Sequence, residues 1–215
     1  MNTLGSLLDN PTLFCSGRFL LVGRQRLTKR LLQEHLKTGP DETVLDVCCG
    51  IGEFSEGIEA AYVGVDLNPK FIDYARRKYR HVRTKTFEVG NATSLRFAEK
   101  YFDKAIVINA LHHFSDDEAT RLLSEIRRVT RRLVIIVDAD GAPKGLLRRM
   151  LVAIDRGKFM RNLEGLSLVI SNVFKIEKIV RFDVGFYTEF LVRCPIDATA
   201  GLFCYPAATR PQDRV

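Results

Sequence analysis

The stretch TVLDVCCGIGEFS, residues 43–55, decides the fold. A mostly apolar run that contains one Asp leads into two cysteines and then a Gly-x-Gly. This is the pattern of a buried strand that turns sharply into the next element. Glycine removes a side chain where the backbone bends or where a ligand approaches it. The stretch alone fits a metal or redox site, a nucleotide-binding turn, or a plain bend.

The composition predicts one globular domain with a full-sized core. The chain has 215 residues, of which 46% are hydrophobic and 27% charged, and no apolar run is long enough to span a membrane. The first residues lack a basic segment followed by an apolar one, so we expect no secretion signal. The five cysteines are scattered and form no C-x-x-C pair. This predicts neither a disulfide framework nor a metal site, and it suits the cytoplasm.

The chain is basic, with a formal charge of +7 and a pI near 9.3. Basic residues concentrate in two windows, 121–132 and 144–161. Such windows attract phosphates, carboxylates or an anionic membrane, although a solvated helix face is the ordinary interpretation. Because no aromatic stacking platform or nucleic-acid motif accompanies the charge, we do not expect nucleic acid as a partner. The sequence does not fix an oligomeric state.

Strand-like and helix-like segments alternate along the chain, which predicts a parallel sheet with helices on both faces. The predicted strands are 43–48, 61–66, 84–89, 102–111 and 132–139, and the predicted helices are 17–36, 52–60, 68–80, 115–129 and much of 143–171. Asn68 before Pro69 and Ser115 with Glu118 are helix-start signals. Residues 174–194 resemble two strands joined by a turn and add an antiparallel hairpin.

The glycine turn lies at the edge of the predicted sheet where ligands bind. In open α/β sheets, ligands sit beyond the carboxyl ends of the strands, and a helix after the turn would direct its N–H groups at them. Asp66 ends the second strand, 20 residues after Asp46, and a carboxylate there can accept both hydroxyls of a ribose. An NAD site would need a third glycine where Ser55 stands.

Five segments in order now carry a family resemblance: VLDVCCGIGEFS, VGVDLNP, VGNATSLRF, FDKAIVINALHHF and RLVIIVDA. Together they resemble the successive motifs of class I S-adenosylmethionine-dependent methyltransferases, over roughly residues 40–195. The resemblance is to small-molecule enzymes such as those of quinone and lipid biosynthesis. It implies an α/β fold with a seven-stranded, mostly parallel sheet and an antiparallel C-terminal hairpin. Cys48 and Cys49 then serve as small residues in a crowded turn.

The resemblance implies S-adenosylmethionine as cofactor, S-adenosylhomocysteine as product, and eight cofactor-binding positions: Asp46, Gly50, Gly52, Asp66, Leu67, Asn91, Ala92 and Asn109. By that resemblance Asp46 orients the methionine ammonium, and the two glycines let the methionine part lie against the backbone. Asp66 holds the ribose hydroxyls and Leu67 packs on the adenine. Asn91 and Ala92 border the adenine edge, and Asn109 lies near the methyl donor. Many relatives carry Asp where this chain has Asn91, and Asn keeps both a donor and an acceptor.

The acceptor is indicated by the NALHHF segment, residues 109–114. Enzymes that methylate exocyclic base nitrogens resemble Asn/Asp-Pro-Pro-aromatic there, so this chain is not expected to be a nucleic-acid amino-methylase. His112 or His113, but not both, is a candidate base for a phenol, an enol or a carbon acid. The alternative is that one histidine only packs the turn. Tyr187 and Met150 are candidates for lining the acceptor pocket.

The sequence therefore predicts a cytoplasmic enzyme that transfers a methyl group to oxygen or carbon of a small, amphiphilic or anionic molecule. The competing hypothesis is a protein of the same fold that binds the cofactor but catalyses cyclisation or decarboxylation. We expect a helical segment at 1–38 covering the site, the cofactor-binding domain at 39–195, and an irregular tail at 196–215. The 144–161 window is either a substrate lid touching an anionic membrane or a helix docked on the sheet.

Overall fold

The computed structural model describes residues 25–142, 158–185 and 187–196. Within them lie four helices: α1 (Arg26–Leu36), α2 (Pro69–Lys78), α3 (Asp116–Val129) and α4 (Leu163–Ser171). The seven strands are β1 (Thr43–Val47), β2 (Ala61–Asp66), β3 (Lys85–Val89), β4 (Phe102–Ile108), β5 (Thr130–Ala139), β6 (Lys178–Val184) and β7 (Tyr187–Pro195). Two short 3-10 turns, Glu53–Ser55 and Leu111–His113, lie between elements.

The strands form one sheet in the order β3-β2-β1-β4-β5-β7-β6. The first five strands are parallel, and β7 runs antiparallel to both β5 and β6. This confirms the predicted fold class, a mostly parallel sheet closed by an antiparallel hairpin. Strand order reverses between β1 and β4, so the crevice beyond their carboxyl ends is the expected ligand site.

Each face of the sheet carries its own apolar core. One core joins alternate strand residues, such as Leu45 and Val47, to the apolar sides of α3 and α4. The other joins Val44 and its neighbours to α1 and α2. Because side chains alternate across a strand, the central strands are apolar on both faces, as buried parallel strands require. The site is thus held at the rim of a rigid, two-sided core.

The helix-start signals are confirmed. Asn68 Oδ1 accepts the backbone N–H of Lys70 at 3.0 Å, and Pro69 occupies the first helical position. Ser115 and Glu118 form a reciprocal capping box at the start of α3. These contacts depend only on neighbouring residues, so the sequence pattern is enough to predict them.

The helix predicted directly after the glycine turn is wrong. Only the 3-10 turn Glu53–Ser55 forms, between Gly52 at φ 74° and Gly57 at φ 79°. Both glycines adopt the left-handed conformation, which ends a right-handed helix. The interval is too short for an α-helix, and no helix N-terminus points at the site from this position.

Helix α1 buries one face of three residues. Thr28, Leu32 and Leu36 are buried, whereas Leu27 is exposed. The buried residues recur every four positions, so the stripe begins at a threonine that an apolar count passes over. Within the described residues, no helix is long and apolar enough to cross a membrane.

Met150 and most of the 144–161 window and of the 196–215 tail lie outside the described residues. Their predicted roles as pocket lining, lid and tail remain predictions, as do the proposed domain boundaries.

Candidate active site

The glycine turn leaves β1 through three left-handed residues. Cys48 has φ 62°, Gly50 has φ 54° and Gly52 has φ 74°. Cys48 is notable because a residue with a Cβ seldom adopts this conformation. Two bonds fasten the turn to the end of β2: Cys49 N donates to Val65 O at 3.0 Å, and Gly50 N donates to Asp66 Oδ2 at 2.8 Å. These bonds fix the position of the turn Cys48–Gly52, which we call the shelf.

The two glycines of the turn have different surroundings. A Cβ placed on Gly50 would meet nothing within 4 Å, so the backbone there borders open space. A Cβ on Gly52 would lie 2.5 Å from the Phe87 ring and 3.1 Å from Tyr79. Gly50 thus offers its backbone to a ligand, while Gly52 also makes room for the packing of Phe87 beneath the turn.

Asp66 ends β2 beside this shelf. Its Oδ1 accepts the N–H of Asn68 and its Oδ2 that of Gly50, both at 2.8 Å. Burial raises the pKa of the Asp66 carboxyl, and the N–H donors of Asn68, Gly50 and Leu67 partly oppose that rise. A carboxylate at the end of the second strand of such a sheet suits a ligand with ribose hydroxyls. Leu67 follows with 72% of its surface exposed.

Asp46 is buried within β1, under the shelf. The hydroxyl of Tyr62 donates to its Oδ2. Burial, together with the Asp46 charge, raises the pKa of Tyr62, so the tyrosine remains a hydrogen-bond donor. The structure therefore shows Asp46 bound to its own chain. Its predicted contact with the methionine ammonium remains a prediction.

The cysteines of the turn lack the chemistry of a redox or metal site. Burial, with the charges of Asp46 and Asp66, raises the pKa of both the Cys48 and the Cys49 thiols. A raised pKa disfavours the thiolate that metal binding and nucleophilic attack require. In the part of the chain that the structure describes, no group of three His, Cys, Asp or Glu side chains is arranged to hold a metal ion.

Asn91 and Ala92 follow β3 at the same edge of the sheet. Asn91 is exposed, and its Oδ1 accepts the N–H of Thr93 at 3.0 Å and its hydroxyl at 2.9 Å. Its amide nitrogen is therefore the group directed away from this turn. Ala92 is buried. The side chains that follow β1, β2 and β3 line one rim, in the order that the sequence predicted.

Asn109 follows β4 on the other side of the shelf. It has φ 50°, and its N–H donates to Val137 O at 2.7 Å. Its Nδ2 donates to Glu189 Oε1 at 3.0 Å. Its Oδ1 is buried and receives no hydrogen bond from any residue that the structure describes. A buried acceptor of this kind costs free energy unless a ligand or water supplies a donor.

His112 pairs with a carboxylate that the sequence analysis did not select. It lies in the 3-10 turn after Asn109, and its Nδ1 is hydrogen-bonded to Asp138 Oδ1 at the end of β5. The two residues are 5% and 3% exposed. His113 is exposed, and its ring centroid lies 4.3 Å from that of His112. The structure thus distinguishes the two histidines by burial and by partner.

Arg161 holds the His112 turn in place. Its guanidinium donates to Leu111 O at 2.9 Å and to Phe114 O at 2.7 Å, and it forms an ion pair with Asp116. The backbone N–H of Phe159 adds a bond to His112 O at 3.0 Å. The carbonyl groups on both sides of the histidine therefore have fixed partners, which limits its movement.

Tyr187 is buried at the start of β7. Four further residues were missed from the sequence: Thr28, Asp138, Arg161 and Glu189. Asp138 and Glu189 left a signal, because each is an acid within an apolar strand run. Thr28 and Arg161 left none, since their partners are far away in the chain.

The known proteins to which this chain is similar include methyltransferases. The profile of a family described as a methyltransferase domain matches residues 44–132. An O-methyltransferase of Pyrenophora dematioidea is 30% identical over 147 residues, which cover 63% of this chain and 52% of that protein. The chain spans about half the length of the curated relatives it matches.

Solved structures share the fold. The PH0226 protein of Pyrococcus horikoshii is similar with a TM-score of 0.63 and 26% identity, covering 80% of this chain and 91% of that one. Magnesium protoporphyrin IX methyltransferase of Synechocystis, with bound S-adenosylhomocysteine, has a TM-score of 0.64 and 18% identity. It covers 81% of this chain and 84% of that one.

Proposed function

We propose that the chain is an S-adenosylmethionine-dependent methyltransferase that methylates a hydroxyl oxygen or an acidic carbon of a small molecule, and the methyltransferase-domain profile that matches residues 44–132 supports this. The buried pair of His112 and Asp138 at the carboxyl edge of the sheet carries this proposal. The pair places a base beside a shelf whose backbone and carboxylate suit a nucleoside cofactor.

The residues around the shelf fit S-adenosylmethionine. Gly50 leaves open space for a group lying against the backbone. The Asp66 carboxylate lies where ribose hydroxyls can donate to it, and the exposed Leu67 offers an apolar surface to the adenine. Asn91 and Ala92 border that surface. When bound, the cofactor supplies a methyl group on a sulfonium and leaves as S-adenosylhomocysteine.

His112 takes the proton of the acceptor in this proposal. Asp138 accepts the hydrogen bond from Nδ1–H, which fixes the tautomer and makes Nε2 the basic nitrogen. Asp138 also accepts the N–H of Ala139 at 3.0 Å, which orients its carboxylate. The proton moves from the acceptor to Nε2 as the bond from its oxygen or carbon to the methyl group forms. His113 differs from His112 in being exposed.

The acceptor is a small molecule. Its amphiphilic or anionic character and its contact with Tyr187 and Met150 belong to the same proposal and await an identified substrate. The relative from Pyrenophora, an O-methyltransferase, supports oxygen as the first acceptor atom to test.

The test uses methyl-labelled S-adenosylmethionine, the purified protein and a small-molecule extract, followed by partition between organic and aqueous phases. We expect label in a small molecule, and partition into the organic phase would identify an amphiphilic acceptor. The matched control is His112→Ala, which should retain cofactor binding but lose transfer. A protein that binds the cofactor and yields an unmethylated product in the extract would contradict the proposal.

A further inference from the structure

A buried chain of hydrogen bonds joins helix α1 to the end of β4. The hydroxyl of Thr28 donates to Glu189 Oε2 at 2.9 Å, and Asn109 Nδ2 donates to Glu189 Oε1 at 3.0 Å. Thr28 and Glu189 are 0% and 1% exposed. The three residues come from α1, β4 and β7, which lie far apart in the sequence.

Glu189 determines which way the Asn109 amide points. Glu189 Oε1 accepts the hydrogen bond from Asn109 Nδ2, so the NH₂ group of Asn109 faces the carboxyl group. The carbonyl Oδ1 then faces the opposite way. It is buried and receives no donor from the described part of the chain. Such an acceptor needs a donor from outside the described part of the chain, and a ligand at this edge of the sheet can supply it.

The position of Asn109 indicates which donor this is. Val107 on β4 pairs with Val47 on β1, so Asn109 comes alongside the turn at Cys48–Gly50. Gly50 has open space there. Asp46, the acid expected from the sequence to orient the methionine ammonium, is buried within β1, and its Oδ2 accepts a hydrogen bond from Tyr62.

We propose that Glu189 and Thr28 are positioning residues that hold Asn109 Oδ1 ready to accept a hydrogen bond from the ammonium group of the cofactor's methionine part. The inference rests on the proposed function, because it needs S-adenosylmethionine as the ligand. It adds two residues outside the methyltransferase domain match and makes α1 part of the cofactor site.

The experiment compares two ligands by calorimetry. S-adenosylhomocysteine carries the ammonium, whereas 5′-methylthioadenosine is a related nucleoside thioether without the amino-acid part. For Glu189→Gln we expect about tenfold weaker binding of S-adenosylhomocysteine and less than about twofold change for 5′-methylthioadenosine. Thr28→Val should act in the same direction, by about threefold, and Thr28→Ser should restore wild-type affinity because it keeps the hydroxyl.

The matched control is Thr43→Val at the opposite end of the sheet. Thr43 also donates from its hydroxyl to a carboxylate, Asp103 Oδ2, at 3.0 Å. It should lower the melting temperature without changing the ratio of the two affinities. If Glu189→Gln does not fold, the Thr28 pair of variants gives the same comparison.

The outcomes separate the two claims. If the wild-type protein binds neither ligand, the proposed function fails and the inference fails with it. If the wild type binds both and the Glu189 and Thr28 variants keep its affinity ratio, the positioning role is overturned while the proposed function stands.

Discussion

His112 Nδ1 and Asp138 Oδ1 are hydrogen-bonded to each other in a setting where neither residue is more than 5% exposed. One residue follows β4 and the other ends β5, so the contact joins two neighbouring strands at their carboxyl ends. In so dry a place, the carboxylate both orients the imidazole and stabilises the imidazolium that proton removal creates. His112 is therefore suited to act as a base, with Asp138 as the group that orients it, rather than to serve packing alone.

Replacement of His112 by Ala should lower turnover by about 10²–10⁴-fold, because the acceptor loses its base. The affinity for S-adenosylhomocysteine should stay within about twofold, since the histidine is not part of the cofactor shelf. Steady-state kinetics and calorimetry measure the two quantities. His113→Ala is the control and should retain most of the activity. Full activity in His112→Ala would assign the residue to packing alone.

Asp138→Asn keeps the size of the side chain but alters the imidazole tautomer, because an amide can donate to Nδ1. We expect a large loss of turnover together with a change in the pH–rate profile. A variant profile identical to that of the wild type would contradict the role of Asp138.

The raised pKa of Asp66 predicts how cofactor binding depends on pH. Ribose hydroxyls donate hydrogen bonds and therefore favour the ionised carboxylate, whereas burial favours the protonated form. Affinity for S-adenosylhomocysteine should thus weaken as pH falls through the Asp66 pKa, and this should begin at higher pH than for an ordinary aspartate. Because the pKa of Asp66 is raised in the folded protein, ionising Asp66 without a ligand lowers the free energy of unfolding. A ligand that favours the ionised carboxylate therefore releases a proton when it binds in the pH range where Asp66 is protonated.

Asp66→Asn is the matched variant for this pH dependence. It keeps the shape of the side chain but removes the titrating carboxylate, so its affinity should be weak and nearly independent of pH in the same range. Calorimetry across pH measures both proteins. Equal affinities and equal pH dependence in the two would remove Asp66 from the cofactor site.

The two glycines of the turn should respond differently to alanine. Each substitution forces a Cβ into the left-handed region, at a cost of about 1–2 kcal/mol. Gly52→Ala adds a clash with the Phe87 ring and should lower the melting temperature further. Gly50→Ala meets open space in the protein, so it should fold better but bind S-adenosylhomocysteine more weakly. The opposite ranking of stabilities would contradict this account of the turn.

Arg161 should affect catalysis more than cofactor binding. Arg161→Met removes the donors to Leu111 and Phe114 carbonyls, so hydrogen exchange should rise at residues 111–114 and turnover should fall. Arg128→Met is the matched control. Arg128 donates to the carbonyls of Leu95 and Phe97 and pairs with Glu125, away from the histidine turn. Similar kinetic losses in both variants would mean that Arg161 contributes only to the stability of the fold.

Local sequence patterns predicted most helices and strands. The hydrogen bonds of the candidate site join residues that are far apart in the sequence. The caps at Asn68 and Ser115 and the apolar strand runs depend on neighbouring residues, so they could be found from the sequence. The absence of a helix after Gly52 was not found from the sequence, because it depends on the left-handed backbone of Gly52 and Gly57, which the residue types permit but do not require. Thr28 and Glu189 are separated by 161 positions, and nothing along the chain indicates that they meet.

One measurement tests the central claim most directly: the amounts of S-adenosylhomocysteine and of methylated small molecule formed from S-adenosylmethionine, followed together by mass spectrometry. The account predicts equal amounts of the two products, with the methyl group on an oxygen or an acidic carbon and both products lost in His112→Ala. Consumption of the acceptor with S-adenosylmethionine left intact would contradict it and establish a non-methylating reaction on the same fold.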